Sequence, residues 1–313
     1  MTQPVTAPRI RAKQRPGDRI FSGTALTSGS LILAILAAVA AFLIIESVPA
    51  LTANPDDVDI LDGEPFWSYV APLVFGTLWA SALALVMAVP VAIGIALFIS
   101  HYAPRRLAAG LGYVIDLLAA VPSVVFGLWG ANVLAPAVQP LYSWLTENLG
   151  WFPLFAPPAS GTGRTILTAA VVLAVMILPI ITALSREVFL QTPVLHEEAA
   201  LALGATRWEM IRTAVLPFGK PGIISASMLG LGRALGETMA VALVLSPGAL
   251  VASLVKTGNQ TIAAEIALNF PEAFGLRLNE LIAAGLVLFV ITLIVNMIAR
   301  FIITRHKEFS GAN

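Results

Sequence analysis

Six long stretches of the sequence are almost free of Asp, Glu, Lys and Arg, and this pattern limits the possible folds more than any other feature. A helix needs about 20 apolar residues to cross the roughly 30 Å of hydrocarbon in a bilayer. Only 12% of the residues are charged, against roughly 25% in an average soluble domain. The sequence therefore predicts an all-α integral membrane protein with six transmembrane helices. The stretches cover residues 20–45, 65–104, 117–146, 165–185, 221–255 and 281–299.

The charged residues between these stretches predict how the chain is oriented. Lys and Arg concentrate in residues 9–19, 105–106, 186–220 and 300–307, whereas residues 46–64 carry only acidic charges. Because basic loops stay in the cytoplasm, we expect both termini to be cytoplasmic. Residues 1–19 are expected to form a disordered basic cytoplasmic tail, residues 20–46 the first transmembrane helix and residues 47–69 an acidic extracytoplasmic loop. A cleavable signal peptide is the alternative for the first helix, but five further spans with the same charge bias favour a retained helix.

The composition argues against several classes of chemistry. The chain has no Cys and only three His residues, so thiolate and zinc sites are not expected. The formal net charge is zero and gives no general attraction to nucleic acid. No Gly-x4-Gly-Lys-Ser/Thr stretch occurs, so we do not expect this chain to bind ATP itself. An intramembrane enzyme with Glu237 or Asp116 as its base would have no His partner inside a span.

The segment between the fourth and fifth spans, residues 194–217, combines small residues with a few charges. We expect a short helix, a break near Gly204 and a second helix that ends at Pro217. A surface of Ala and Gly lets another protein approach closely, and the neighbouring charges can orient that protein. We therefore interpret the segment as a docking loop. A helix lying flat on the membrane is the alternative, which the low apolar area of Ala and Gly disfavours.

Two charged residues, Arg233 and Glu237, lie inside the fifth predicted span. A charge at the centre of a membrane helix costs roughly 2.5 to 3.5 kcal/mol, so both should face the protein interior or a water-filled path. Residues four apart share a helical face, which would let Glu237 neutralise Arg233. Gly232 and Gly236 would leave room beside the pair for another helix. The planar guanidinium suits a tetrahedral oxyanion, but a buried ion pair that only fixes helix packing is an equal alternative.

Four segments, taken in order, resemble one transporter family. Residues 198–217 are similar to the EAA loop of ABC importer permeases, with Glu-Ala-Ala, Gly and Leu-Pro at the family spacing. Residues 121–130, 232–240 and 261–267 resemble stretches of the PstC-type permeases of phosphate-specific ABC importers. The resemblance implies a type I ABC importer permease fold, a multi-pass protein of the bacterial cell membrane and import of inorganic phosphate. Sulfate, molybdate or phosphonate is the alternative substrate, and an ion-coupled transporter would leave the docking loop unexplained.

The resemblance also implies partners and residue roles. The partners would be a PstA-type permease, two PstB-type ATPases that bind ATP and Mg²⁺, and a PstS-type phosphate-binding protein. This chain itself would have no catalytic residues and no bound cofactor. It would hold a core permease domain over residues 70–305, with the coupling loop at 194–217, and a cytoplasmic tail at 306–313. The implied substrate-path residues are Arg233, Glu237, Ser123 and Thr238, and the implied ATPase-coupling residues are Glu198, Ala199, Ala200, Gly204, Ala205 and Arg207.

Three further residues have simpler expected roles. Pro122 is expected to kink the third span, and Asp116 to lie at the cytoplasmic entrance of that span. Arg164 precedes the fourth span on the external side, where it fits an interfacial anchor better than a residue that draws an anion inward. Residues 261–268 are expected to form an interfacial helix.

Overall fold

The structure is a computed structural model that describes residues 16–53 and 65–307. Helices make up nearly all of this part of the chain. Predictions for residues 1–15, 54–64 and 308–313 lie outside the described residues. The helices are α1 (Pro16–Thr52), α2 (Phe66–Leu97), α3 (Arg105–Ala119), α4 (Ser123–Trp129), α5 (Ala135–Leu149), α6 (Ile166–Leu190), α7 (Val194–Ala202), α8 (Arg207–Met210), α9 (Leu216–Leu235), α10 (Met239–Val244), α11 (Ile262–Asn269) and α12 (Leu276–Lys307).

Within the described residues, six helical segments are long and apolar enough to span a membrane, which confirms the predicted all-α membrane fold. Single π turns extend α2 and join α4 to α5 and α8 to α9, so that these pairs cross as continuous spans. Six crossings place both ends of the described chain on the face that carries α7. The spans are Gly17–Thr52, Phe66–Tyr102, Ser123–Leu149, Ile166–Leu190, Arg207–Leu235 and Leu276–Thr304.

The first span extends further into the acidic region than the charge pattern indicated. Helix α1 begins at Pro16 and continues to Thr52, so residues 16–19 and 47–52 are helical rather than tail and loop. Glu46 lies inside this helix because its charge has a partner. The side-chain amide of Asn279 in α12 donates to the Glu46 carboxylate at 3.2 Å and to the Glu46 carbonyl oxygen at 2.7 Å.

The third span differs from its prediction at its beginning. Residues 105–119 form a separate helix, α3, and α4 begins only at Ser123. Pro122 therefore precedes a helix instead of kinking one, with φ −59° and ψ 138°. Proline favours this place because its ring fixes φ and it has no N–H to leave unpaired at the helix start. Asp116 lies on the exposed face of α3, before the third span begins.

The fifth span also begins and ends elsewhere than predicted. The prediction that Pro217 ends a helix was wrong, because α9 begins at Leu216 and continues to Leu235. A π turn at Ile211–Val215 precedes the proline and accommodates the missing N–H donor. At its other end the span was predicted to reach residue 255, but α9 stops at Leu235 and only the short helix α10 follows before an irregular segment.

Helix α6 lies at the centre of the molecule and packs against α2, α3 and α9. The face that α2 contributes to the core consists of alanines at a spacing of four residues, which places them on one side of the helix. Each of these alanines is no more than 1% exposed. Small side chains allow two membrane helices to approach closely and gain dispersion contacts along their length. The alanines are Ala80, Ala84, Ala88 and Ala92.

The segments 121–130 and 232–240, which both resemble family stretches, meet where α4 crosses α10. Gly127 makes the crossing possible, because a Cβ there would lie 2.8 Å from the Ala240 Cα and 3.0 Å from Leu243 Cδ1. Gly130, one turn later, faces side chains of Val172 and Val244 equally closely. The two glycines therefore set the distance between α4 and α10.

Replacing Gly127 with Ala is expected to destabilise the protein, because overpacking a tight contact costs about 1–3 kcal/mol. The loss should lower the temperature of thermal unfolding, measured by fluorescence on the purified complex. Gly94→Ala is the matched control, since a Cβ at that helical position meets no atom within 4 Å. It should leave the unfolding temperature unchanged or raise it slightly, through the better helix propensity of Ala. Equal unfolding temperatures for the two variants would contradict the close α4–α10 contact.

Candidate functional site

Arg233 lies in the last turn of α9 and lines a groove of about 1040 Å³ between α1, α6, α9 and α12. Its Nε atom is buried and has no hydrogen-bond partner among the described residues. Ser225, Asn296 and Arg300 line the same groove and add hydroxyl, amide and guanidinium groups. The groove thus presents two cationic side chains and polar donors, a set suited to an anion.

The predicted ion pair between Arg233 and Glu237 is absent from the described part of the chain. Glu237 is 8% exposed, and its Oε1 accepts a hydrogen bond from the backbone N–H of Ala240 at 3.2 Å. The carboxylate thus satisfies a free donor at the start of α10. Residues four apart meet only on a continuous helix, and here α9 ends at Leu235 before α10 begins at Met239.

The four predicted substrate-path residues do not gather in one cavity. Only Arg233 lines the groove, while Ser123 begins α4 and Thr238 precedes α10, both half-buried. A Cβ at Gly232 would meet no atom within 4 Å, so this glycine does not contact another described helix. The side of α9 at Gly232 is therefore open.

The docking loop folds as a helix, a break and a second helix, as its sequence indicated. Gly204 ends α7 with φ +84°, a left-handed conformation that glycine adopts without strain. The N–H of Gly204 donates to the Leu201 carbonyl at 3.0 Å, and the N–H of Ala205 donates to the Ala200 carbonyl at 3.2 Å. Thr206 then starts α8 through reciprocal hydrogen bonds with Glu209. Local sequence alone accounts for this shape.

The loop presents an exposed apolar surface beside charged groups. Leu203 at its tip is 90% exposed, and a Cβ at the neighbouring Gly204 would meet no atom within 4 Å. On its inner side Ala200 packs against a buried cluster that contains Phe189 and Met210. His101 Nε2, at the end of the second span, lies 3.5 Å from Glu197 Oε1 and ties the loop to the bundle. Of the six predicted coupling residues, Glu198, Ala199, Gly204 and Arg207 are exposed, and Ala200 and Ala205 are half-buried.

A charged cluster that the sequence did not reveal lies on the face opposite α7. Arg277 donates to Glu265 Oε1 and to Glu280 Oε2, each at 3.2 Å, and its guanidinium carbon lies 5.2 Å from the centre of the Tyr69 ring. The Tyr69 hydroxyl donates to Glu265 at 3.0 Å. The cluster links α2, α11 and α12, whose residues are distant in sequence. Only the proximity of Arg277 and Glu280 at the start of the last span could have indicated it.

Comparison with known protein families identifies the chain as a component of a transport system. Residues 88–307 match the family model described as binding-protein-dependent transport system inner membrane component. The chain belongs to this permease family. The permease is a multi-pass protein of the cell membrane, and the docking loop and Arg233 both fall within the matched region.

Relatives with PstC in their names resemble the permease along almost its whole length. The phosphate transport system permease protein PstC 2 of Mycobacterium tuberculosis is 47% identical over 96% of this chain and 98% of that protein. The PstC protein of Mycobacterium leprae is 44% identical over 91% of this chain and 92% of that protein. The PstC protein of Mesorhizobium japonicum is 39% identical over 94% of this chain and 92% of that protein. The chain is therefore a member of the PstC-type branch of the family.

Solved structures of importers share the fold. A bacterial alginate ABC transporter, in complex with an alginate-bound periplasmic protein, matches with a TM-score of 0.58 at 19% identity, over 91% of this chain and 96% of that one. The inward-facing MetNI methionine ABC transporter matches with a TM-score of 0.53 at 16% identity, over 76% of this chain and 94% of that one. These likenesses confirm the predicted type I ABC importer permease fold.

Proposed function

We propose that the chain is the membrane subunit of an ATP-driven importer that moves inorganic phosphate into the cytoplasm. The observation that carries this proposal is the 47% identity, over almost the full length of both chains, to a permease named for phosphate transport. In the proposed orientation, the face carrying α7 is cytoplasmic, as the basic residues near it favour.

Arg233 is the residue proposed to contact phosphate. Its guanidinium has no carboxylate partner among the described residues, so no ion pair must break before an anion binds. Arginine donates two parallel hydrogen bonds to a tetrahedral oxyanion, and such charge-assisted bonds are about twice as strong as neutral ones. Glu237 and Thr238 are proposed to act nearby by shaping the start of α10, and Ser123 by its place at the start of α4.

The docking loop is proposed to transmit the motion of a cytoplasmic ATPase. The loop exposes Leu203 together with the charged Glu198 and Arg207, an apolar side chain beside charges that could anchor and orient a partner protein. Because Ala200 and the His101–Glu197 contact join the loop to the bundle, a displacement of the loop would move the membrane helices with it. ATP and Mg²⁺ are proposed to bind only to that partner.

The complete importer is proposed to contain a PstA-type permease beside this chain, two PstB-type ATPases below it and a PstS-type phosphate-binding protein above it. The open side of α9 around Gly232 leaves room for the second permease close to Arg233. Sulfate, molybdate or phosphonate is the second candidate substrate, because an arginine in a groove binds any of these oxyanions.

Uptake into proteoliposomes tests the proposed function. The importer is reconstituted with its binding protein outside and ATP inside, and the entry of radioactive phosphate is followed. Uptake should require hydrolysable ATP and persist when ion gradients are collapsed. Uptake that needs an ion gradient and ignores ATP would contradict the ABC importer assignment.

A further inference from the structure

A second cavity, of about 420 Å³, lies on the face opposite α7, which is extracytoplasmic in the proposed orientation. We call it the outer cavity and define it by Ala131, Pro136, Gln139, Gly161, Thr162 and Arg164. Ala131 belongs to the π turn between α4 and α5, and Gly161, Thr162 and Arg164 belong to the loop that precedes α6. It shares no lining residue with the Arg233 groove.

The outer cavity presents a cation without a partner. Arg164 is half-buried, and within the described ranges its guanidinium makes no ion pair and no hydrogen bond. Gln139 donates one amide hydrogen to Ser143 at 3.2 Å, which leaves its second amide hydrogen free. The Thr162 hydroxyl oxygen accepts a long bond, 3.4 Å, from the Arg164 backbone N–H. No acidic side chain belongs to the described lining, so an anion would meet attraction without repulsion.

The loop that carries Arg164 is held rigidly. Gly163 adopts φ +70°, and a Cβ there would overlap the Ala135 carbonyl oxygen, so the loop lies directly on the start of α5. The Thr168 hydroxyl donates to the Gly163 carbonyl at 2.6 Å and lies 2.8 Å from the Tyr142 hydroxyl. The backbone that carries Arg164 is therefore held beside the cavity before any ligand arrives, which lowers the entropy cost of binding.

We propose that the outer cavity binds a phosphate-type oxyanion through Arg164, with Gln139 and Thr162 as further hydrogen-bond donors. The guanidinium fork supplies the charge, and the start of the 25-residue helix α6 directly after Arg164 adds a partial positive charge. The identity of the ion as phosphate rests on the proposed function. The site would receive the anion at the outer surface, at the opposite end of the bundle from the docking loop.

The absence of Cys from the chain provides a direct test. Gly161→Cys places a single thiol in the lining, at an exposed position where a Cβ meets no atom within 4 Å. The importer carrying this variant is treated, in lipid-free detergent, with an anionic methanethiosulfonate reagent, and modification of this chain is followed by mass spectrometry. Inorganic phosphate should slow the modification severalfold, and Arg164→Gln should abolish that protection. Trp151→Cys, at a site 80% exposed in the same external loop, is the control that phosphate should not protect.

Repeating the labelling in nanodiscs distinguishes free phosphate from a phospholipid headgroup. Protection by phosphatidylglycerol without added phosphate would identify the headgroup as the source of the oxyanion, whereas protection only with added phosphate identifies the free ion. Three results would overturn the site. They are a thiol that does not react with the reagent, a thiol that neither phosphate nor phosphatidylglycerol protects, and protection that is equal after Arg164→Gln. If the importer takes up phosphate normally but phosphate does not protect its Gly161→Cys thiol, only the outer-cavity site is refuted. If phosphate protects the thiol but the importer takes up only sulfate, only the proposed function is refuted.

Discussion

Replacing Arg233 with Ala is expected to lower phosphate uptake by the assembled importer by about 100-fold or more. The variant loses two charge-assisted hydrogen bonds of about 1.5–3 kcal/mol each to the passing anion, and 1.4 kcal/mol corresponds to a factor of ten. Uptake of radioactive phosphate into proteoliposomes measures the effect. We expect assembly to survive the change, because Arg233 as a whole is only half-buried. The amount of each subunit that copurifies checks this.

Two further substitutions make this result specific. Arg233→Lys keeps the charge but loses the planar fork, so uptake should fall to an intermediate level. Arg106→Ala removes an exposed Arg that does not line the groove, and uptake should change by less than about twofold, as for most surface substitutions. Unchanged uptake by a fully assembled Arg233→Ala importer would show that phosphate does not depend on this residue.

Replacing Leu203 with Asp is expected to detach the ATPase. Leu203 is 90% exposed in this chain, so the change should not disturb the fold, but it places a charge at the tip of the docking loop. Loss of an interface hot spot costs about 2–4 kcal/mol, equivalent to roughly 30- to 1000-fold weaker binding. Copurification with the tagged ATPase and phosphate-dependent ATP hydrolysis should both be lost.

Phe274→Asp is the matched control for the docking loop. Phe274 is also a large apolar side chain, 81% exposed, but it lies just before α12 on the face opposite α7. Its replacement should leave the ATPase attached. If the Leu203→Asp importer kept the ATPase at normal stoichiometry, or if Phe274→Asp released it equally well, the loop could not be the specific docking surface.

The membrane spans were predictable because crossing a bilayer imposes a local requirement on each segment. About 20 apolar residues must follow one another, so charge-free stretches give the number and order of the spans. The docking loop was predictable for a similar reason, since Gly204 and Thr206 determine the break through bonds to residues a few positions away. Within the docking loop, Pro217 was misjudged, because a π turn in the preceding residues lets the helix continue.

The details of the site were less predictable because they depend on contacts between distant segments. Nothing local in residues 232–240 shows that α9 stops at Leu235, which separates Arg233 from Glu237. Glu46 was taken as the end of the first span, although its bond to Asn279 keeps it inside a helix. The cluster around Arg277 joins residues nearly two hundred positions apart, and charge patterns along the chain do not record such pairs.

The ATPase activity of the reconstituted importer tests the central claim most directly. The binding protein is loaded in turn with phosphate, sulfate or molybdate and added to the complex, and the rate of ATP hydrolysis is compared with that given by the unloaded protein. The proposed function predicts stimulation by the phosphate-loaded protein and none by the other two. Stimulation by sulfate or molybdate, with none by phosphate, would contradict it.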